Sequence, residues 1–140
     1  MMVALAWATA APVRAADFEH LTVEPGKTSI YIGTVTITMT PFRRDQGVYA
    51  ADYRAKVFPY FFANEHGWLK VDFNDEQLAR LARGERVPFT GRAENSEKEP
   101  RHVEGHATPD APGAKHGKIK VRVFVTKKIE LIFNTTYRFE

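Results

Sequence analysis

Apolar and polar side chains alternate over most of this chain. Beyond Gly33, Val35, Ile37 and Met39 fall on one side of an extended segment, with Thr34, Thr36, Thr38 and Thr40 on the other. Residues 30–40 therefore read as one β-branched strand with a wet face, ended by Pro41, with 41–47 as a polar connection. In 48–58, Tyr49, Ala51, Tyr53, Ala55 and Val57 face one way and Asp52, Arg54 and Lys56 the other, which predicts an antiparallel partner. Pro59, Tyr60, Phe61 and Phe62 break the alternation, and it resumes after the turn at 64–67 with Leu69, Val71 and Phe73 as the inner set. Small residues mark the inner parity of 87–94 and 102–108 (Gly91, Ala93, Gly105, Ala107), as tight sheet curvature requires. Ile119, Val121, Val123 and Val125 then alternate with Lys118, Lys120 and Arg122. The chain closes on Ile129, Leu131, Phe133, Thr135, Tyr137 and Phe139. Ending on so apolar a strand predicts that the C terminus is built into the fold, and that removing the last six residues unfolds or aggregates the protein.

Only 74–84 carries helical signals. Asn74 caps with Gln77 three residues on, acids fill the first turn, arginines the last, and Gly84 stands where a left-handed cap belongs. A helix of roughly 15 Å closes one end of a sheet and cannot build a helical core. The fold predicted is all-β and mainly antiparallel, a small β-barrel or β-sandwich of six to eight strands with one short helix. Periodicity leaves barrel and sandwich open. Turn-rich residues 108–117 read as the longest exposed loop.

At 140 residues, 44% of them hydrophobic and 26% charged, the chain has the composition of one globular domain. It contains no cysteine, which excludes disulfides, thiol nucleophiles, iron–sulfur clusters and Cys-containing zinc sites. Residues 1–16 differ from the rest. An apolar run through Ala11 followed by Val13, Arg14, Ala15 and Ala16 reads as a secretory signal cut near Ala15 or Ala16, without a basic leader and too short to span a membrane. The expected organisation is a signal peptide at 1–16 and a single β-rich domain at 17–140, exported to the periplasm or secreted, with no transmembrane span in the mature chain.

Catalytic patterns are sparse. His102 and His106 have the spacing of a helical zinc motif, but on a strand four residues separate them by roughly 13 Å. The weak metal candidates are His106, Asp110 and His116, meeting across the 108–117 loop. Ser29 and Ser96 are the only serines, and neither sits in a nucleophile elbow. Asp52, Glu65 and Asp72 could pair for sugar chemistry, yet Asp52 and Asp72 alternate with Arg54 and Lys70 on a wet face, where ion pairing is the ordinary role. Phosphate-cradling loops and dinucleotide fingerprints are absent. No cofactor is predicted, and an enzyme is disfavoured.

Twenty basic residues against seventeen acidic ones give a net charge of +3, too mild for a dedicated nucleic-acid protein, and nucleic acid is not expected as a partner. The basic residues are nevertheless ordered: from Lys98 to Lys128 eight cations face three acids, with Lys118, Lys120 and Arg122 on one side of a strand. Eight of the seventeen aromatic residues lie between Val48 and Phe73, and Tyr60, Phe61 and Phe62 cannot all point inward. The first functional expectation is an exported, non-enzymatic binding or structural module of the cell envelope. Tyr60, Phe61, Phe62, Lys115, Lys118, Lys120 and Arg122 would contact an acidic partner, an envelope component, polysaccharide or protein. The second is a small-molecule or lipid carrier with Tyr49, Tyr53, Val121 and Phe133 lining a barrel; it calls for an apolar cavity above about 300 Å³. A small metal-dependent hydrolase is the third.

Overall fold

The computed structural model describes residues 18–30 and 33–140, so the expected signal peptide at 1–16 lies outside the described residues. Ten antiparallel strands form one sheet: β1 (His20–Val23), β2 (Gly26–Ile30), β3 (Gly33–Met39), β4 (Phe42–Asp45), β5 (Val48–Phe58), β6 (Glu65–Asp72), β7 (Val87–Asn95), β8 (Pro100–Pro109), β9 (His116–Phe124) and β10 (Glu130–Phe139). Their order is β2-β3-β5-β4-β1-β10-β9-β8-β7-β6, and β5 also pairs with β6. That last ladder closes eight strands into a barrel, which removes most of the free edges an open sheet would leave. Of the two architectures open to the sequence, the barrel is the one formed.

Four local expectations change. The turn expected at 64–67 is strand from Glu65 on, with Glu65 opposite Ala55 and Gly67 opposite Tyr53. Residues 30–40 are not one strand: Ile30 ends β2, Gly33 begins β3, and the two pair as a hairpin with Ile30 opposite Gly33. The polar stretch after Pro41 is mostly strand, since β4 pairs Arg43 with Ala50 and Asp45 with Val48. Its turn is confined to Gln46 and Gly47, both at positive φ (50° and 79°), a pattern that matches the twist of flanking strands. Charge hid this strand, because Arg43 and Asp45 face solvent and Phe42 alone marks its buried side. Finally, β8 runs to Pro109 and β9 starts at His116, so the loop between them shrinks to 110–115.

The helix α1 (Asp75–Ala82) has the full capping box: Asn74 accepts from the Gln77 N–H, and the Gln77 side chain accepts from the Asn74 N–H. It connects β6 to β7 and covers one end of the barrel with Leu78 and Leu81, both buried. Gln77 donates to the Pro88 carbonyl, the Gly113 N–H donates to the Ala82 carbonyl, and Arg44 pairs with Asp75 at 2.7 Å, tying the helix to β4, β7 and the 110–115 loop. Inside this floor an aromatic mesh fills the barrel. Tyr49 meets Phe73 and Phe139 with ring centroids 6.5 and 6.0 Å apart, Phe73 meets Phe89 at 6.3 Å, and Phe18 meets Phe139 at 4.9 Å. These rings bury large apolar area and favour edge-on contacts. Gly105 is required here: a Cβ would stand 2.3 Å from the Lys120 carbonyl oxygen and 2.6 Å from the Phe89 ring. No helix among the described residues is long and apolar enough to cross a membrane.

Candidate functional site

Opposite the helix, the barrel is open. The strands deliver their inner residues to both ends, yet only the floor is packed tight. Ile37, Ala55, Val121, Val123 and Leu131, in the other half, are only partly buried. β1 pairs with β10 as far as Val23 opposite Tyr137; beyond it, among the described residues, Gly26 of β2 packs against Phe133 of β10 without a ladder. The cavity measures about 90 Å³, smaller than the roughly 150 Å³ apolar cavity that takes one benzene ring. Its lining includes all four predicted residues, Tyr49, Tyr53, Val121 and Phe133. It falls below the roughly 300 Å³ that the carrier expectation calls for, so only a short, slender group is enclosed by the barrel as it stands.

Almost every lining group is apolar, and the exceptions gather at the mouth. The Tyr53 hydroxyl donates to Glu65 Oε2 at 2.9 Å, and Glu65 Oε1 faces Arg101 Nε at 3.6 Å. Arg101 is the more enclosed of the charged pair, its side chain 12% exposed against 24% for Glu65. Its remaining contacts are long: Nη2 stands 3.7 Å from Glu99, and Nη1 donates to the carbonyls of Val125 at 3.4 Å and Pro100 at 3.5 Å. Arg101 Nε is buried, and its nearest acceptor is Glu65 Oε1, just beyond hydrogen-bond distance. Glu65 is firmly held by Tyr53, whereas every contact of the guanidinium is long, so it can take a closer acceptor. Burial, reinforced by the Glu65 hydrogen bond, pushes the Tyr53 hydroxyl well above the usual phenol range, so it remains a donor at neutral pH.

Tyr60, Phe61 and Phe62 also lie at this end, on the loop after β5. Pro59 follows a cis bond, a short 3-10 turn spans Phe61–Ala63, and all three aromatic residues are exposed, Phe62 at 88%. The basic candidates lie elsewhere. Lys115 belongs to the 110–115 loop at the helix end, its Nζ 6.0 Å from the Phe18 ring centre. Lys118, Lys120 and Arg122 run up the outer wall of β9, opposite Thr108, His106 and Glu104 of β8. Arg122 is paired with Glu130. The structure therefore separates the aromatic trio from Lys115 by the length of the barrel, and the two do not share one face.

The metal candidates come together only in part. His116 Nδ1 and Asp110 Oδ2 lie 2.6 Å apart across the 110–115 loop, but His106 turns to Arg86, its Nε2 2.8 Å from the guanidinium. Burial first, then Arg86 and Lys120, holds His106 below the ordinary histidine range. Among the described residues no group of three or more metal-ligating side chains is assembled.

Sequence reasoning filed Arg101 with the basic stripe and Glu65 with possible acid pairs. Parity carried the missing signal. Arg101 shares the inward phase of Val103, Gly105 and Ala107, and Glu65 that of Leu69, Val71 and Phe73, so both charges point into the barrel at strand ends. No protein family, curated protein or solved structure matches this chain.

Proposed function

We propose that this protein binds a slender anionic amphiphile, its apolar tail in the barrel and its charged end at Arg101. One observation carries the proposal: a narrow apolar cavity of about 90 Å³ whose mouth holds a mostly buried guanidinium with only long contacts to its neighbours. A carboxylate or phosphate-like head would complete Arg101's coordination with charge-assisted hydrogen bonds, while Glu65 stays with Tyr53. A cationic head would compete with Tyr53 and Arg101 together for Glu65. At about 30 Å³ per water-sized group the cavity encloses about three carbons, so chains of roughly three to eight carbons test how far the partly buried half of the barrel opens around a longer tail. The protein would be non-enzymatic and, if the 1–16 leader is processed, would carry its ligand outside the cytoplasm.

Octanoate labelled with ¹³C at its carboxyl carbon is the probe. Saturable binding at one site is expected, with the carboxyl resonance shifted by the guanidinium. Arg101→Gln should weaken octanoate at least about tenfold, the effect of one lost charge-assisted pair, and leave octanol nearly unchanged. Val121→Phe, which fills the cavity, should abolish both. Failure of every chain in this range to bind the wild type, or equal binding by the filled variant, sinks the proposal.

The surface-binding module remains a second reading, favoured by the exposed Lys118 and the column it forms with Lys120 beside His106 and Arg86. Arg122 adds little to it because Glu130 offsets its charge.

A further inference from the structure

Large apolar side chains exposed among the described residues number five: Phe58, Tyr60, Phe61, Phe62 and Ile129. All five stand at the mouth. Four belong to the end of β5 and the loop after it, and Ile129 to the turn between β9 and β10. Phe58 is 63% exposed, Phe61 62% and Phe62 88%. They also pack on each other instead of on the wall, Phe58 against Phe61 at 6.0 Å and Tyr60 against Phe62 at 5.7 Å. Such a cluster would be a liability on a free surface, and its confinement to one rim points to a partner.

We infer that this rim docks on an anionic lipid bilayer, the aromatic loop and Ile129 entering the headgroup region around the mouth. A bilayer fits better than a protein surface because the apolar groups sit at the tips of two loops flanking an opening, where a plane touches both at once. Aromatic rings favour the membrane–water interface, where an apolar body and polar surroundings coexist. Charge agrees with this depth. Lys127 and Lys128 are exposed in the same turn as Ile129, whose neighbour Glu130 is taken up by Arg122, and Lys56 precedes Phe58 on the outer wall, so each apolar loop has a cation near it in sequence. The remaining described mouth turn carries Glu97, Lys98 and Glu99, and Glu99 is drawn toward Asn95 and Arg101. Across these turns, three lysines (98, 127, 128) exceed two glutamates (97, 99) by one charge, so apolar insertion supplies most of the attraction and anionic lipid strengthens it. The inference goes beyond ligand binding. It rests on the rim's exposure, and the ligand proposal adds a purpose: a docked mouth would let an amphiphile pass between bilayer and cavity without crossing water.

The full chain, with its N-terminal segment common to every variant, is sedimented with vesicles of phosphatidylcholine alone or mixed with phosphatidylglycerol. Wild type should partition to both and several-fold more to the anionic mixture. Phe61→Ser combined with Phe62→Ser should lower partitioning at least about tenfold, and Lys127→Gln with Lys128→Gln should remove most of the preference for phosphatidylglycerol. A Phe62→Trp reporter should be quenched by lipids brominated on the acyl chain, whereas an Ala111→Trp reporter at the helix end should not. Unchanged sedimentation of the double serine variant, or a reporter at position 62 that is not quenched, overturns the inference. So does a wild-type dimer that the serine variant dissociates, because the rim would then be an interface between copies. Octanoate titration without vesicles separates the two proposals: the serine variant should retain wild-type affinity, which also verifies its fold. Quenching without octanoate binding would leave docking supported and end the carrier proposal.

Discussion

At the scale of single residues, the barrel interior is organised by what each inward side chain does with its polar atoms. Tyr49 turns its hydroxyl out of the apolar mesh to the Phe18 carbonyl, Tyr53 donates a hydrogen bond to Glu65, and the Tyr137 hydroxyl is buried without a hydrogen-bond partner among the described residues. Burial pushes all three phenols up, Tyr137 to about 12 with help from Asp110. The consequence is alkaline instability. Above pH 10 the unfolded tyrosines lose protons that the folded ones keep, so unfolding gains favour as pH rises toward the folded pKa values. Each contributes at most about 1.4 kcal/mol per pH unit in that window, less for Tyr53 because water at the mouth screens it. Urea midpoints should be flat from pH 7 to about 9.5 and then fall steeply, and Tyr49→Phe should flatten the fall; a midpoint constant up to about pH 11 would contradict this accounting. Gly105 is the packing counterpart, since any side chain there collides with Phe89 and with backbone. Gly105→Ala should cost about 1–3 kcal/mol in denaturant titration, and paired with Phe89→Leu it should regain part of that loss.

At the scale of elements, the strands with clean alternation were legible in the sequence because half-buried wall strands in a closed barrel must place every second residue inward. That condition holds for β3, β5, β7, β9 and β10, and their inward sets follow the alternation except at Ile129, expected on the inner face of the last strand but 50% exposed in the turn before β10. β1, β2 and β4 were not legible as strands: they are four or five residues long, and β4 keeps only Phe42 buried among charges. A period of two cannot declare itself over so few positions. The same parity that located the wall would have turned Glu65 and Arg101 inward, but their charges argued for solvent, and only the closed mouth of a barrel reconciles the two. The helix was legible through its caps, which are local chemistry. Asn74→Ala should therefore destabilise by about 1 kcal/mol, and Leu78→Ala, which opens the floor, by about 2–5 kcal/mol in thermal or denaturant unfolding. Residues 135–140 carry Tyr137 and Phe139 of the mesh and the β10 half of the ladder to β1. Removing them should leave an insoluble chain, and a soluble truncated protein with a native circular dichroism spectrum would show that the floor does not depend on that closure.

At the scale of the whole molecule, the barrel is asymmetric along its axis. One end is closed by α1, the aromatic mesh and an unbroken ring of ladders, while the other has partly buried inner residues, contact without a ladder between β2 and β10 among the described residues, and a mostly buried guanidinium with long contacts. Local stability should follow that axis, since segments with fewer buried contacts open at lower free energy. Hydrogen exchange should find the amides of β6, β7 and β8 protected nearly to the level of global unfolding on the floor side. Those of β2, which among the described residues has a ladder only to β3, should exchange orders of magnitude faster. Octanoate should slow the mouth amides selectively, because a tail bridging Ala55, Val121 and Leu131 couples the two sides of the mouth and binding raises the cost of opening. Arg101→Gln should reduce that protection in proportion to its lost affinity. Uniform exchange along the axis, or protection by octanoate confined to the floor, would mean that the mouth is as rigid as the plug and that a ligand enters by another route.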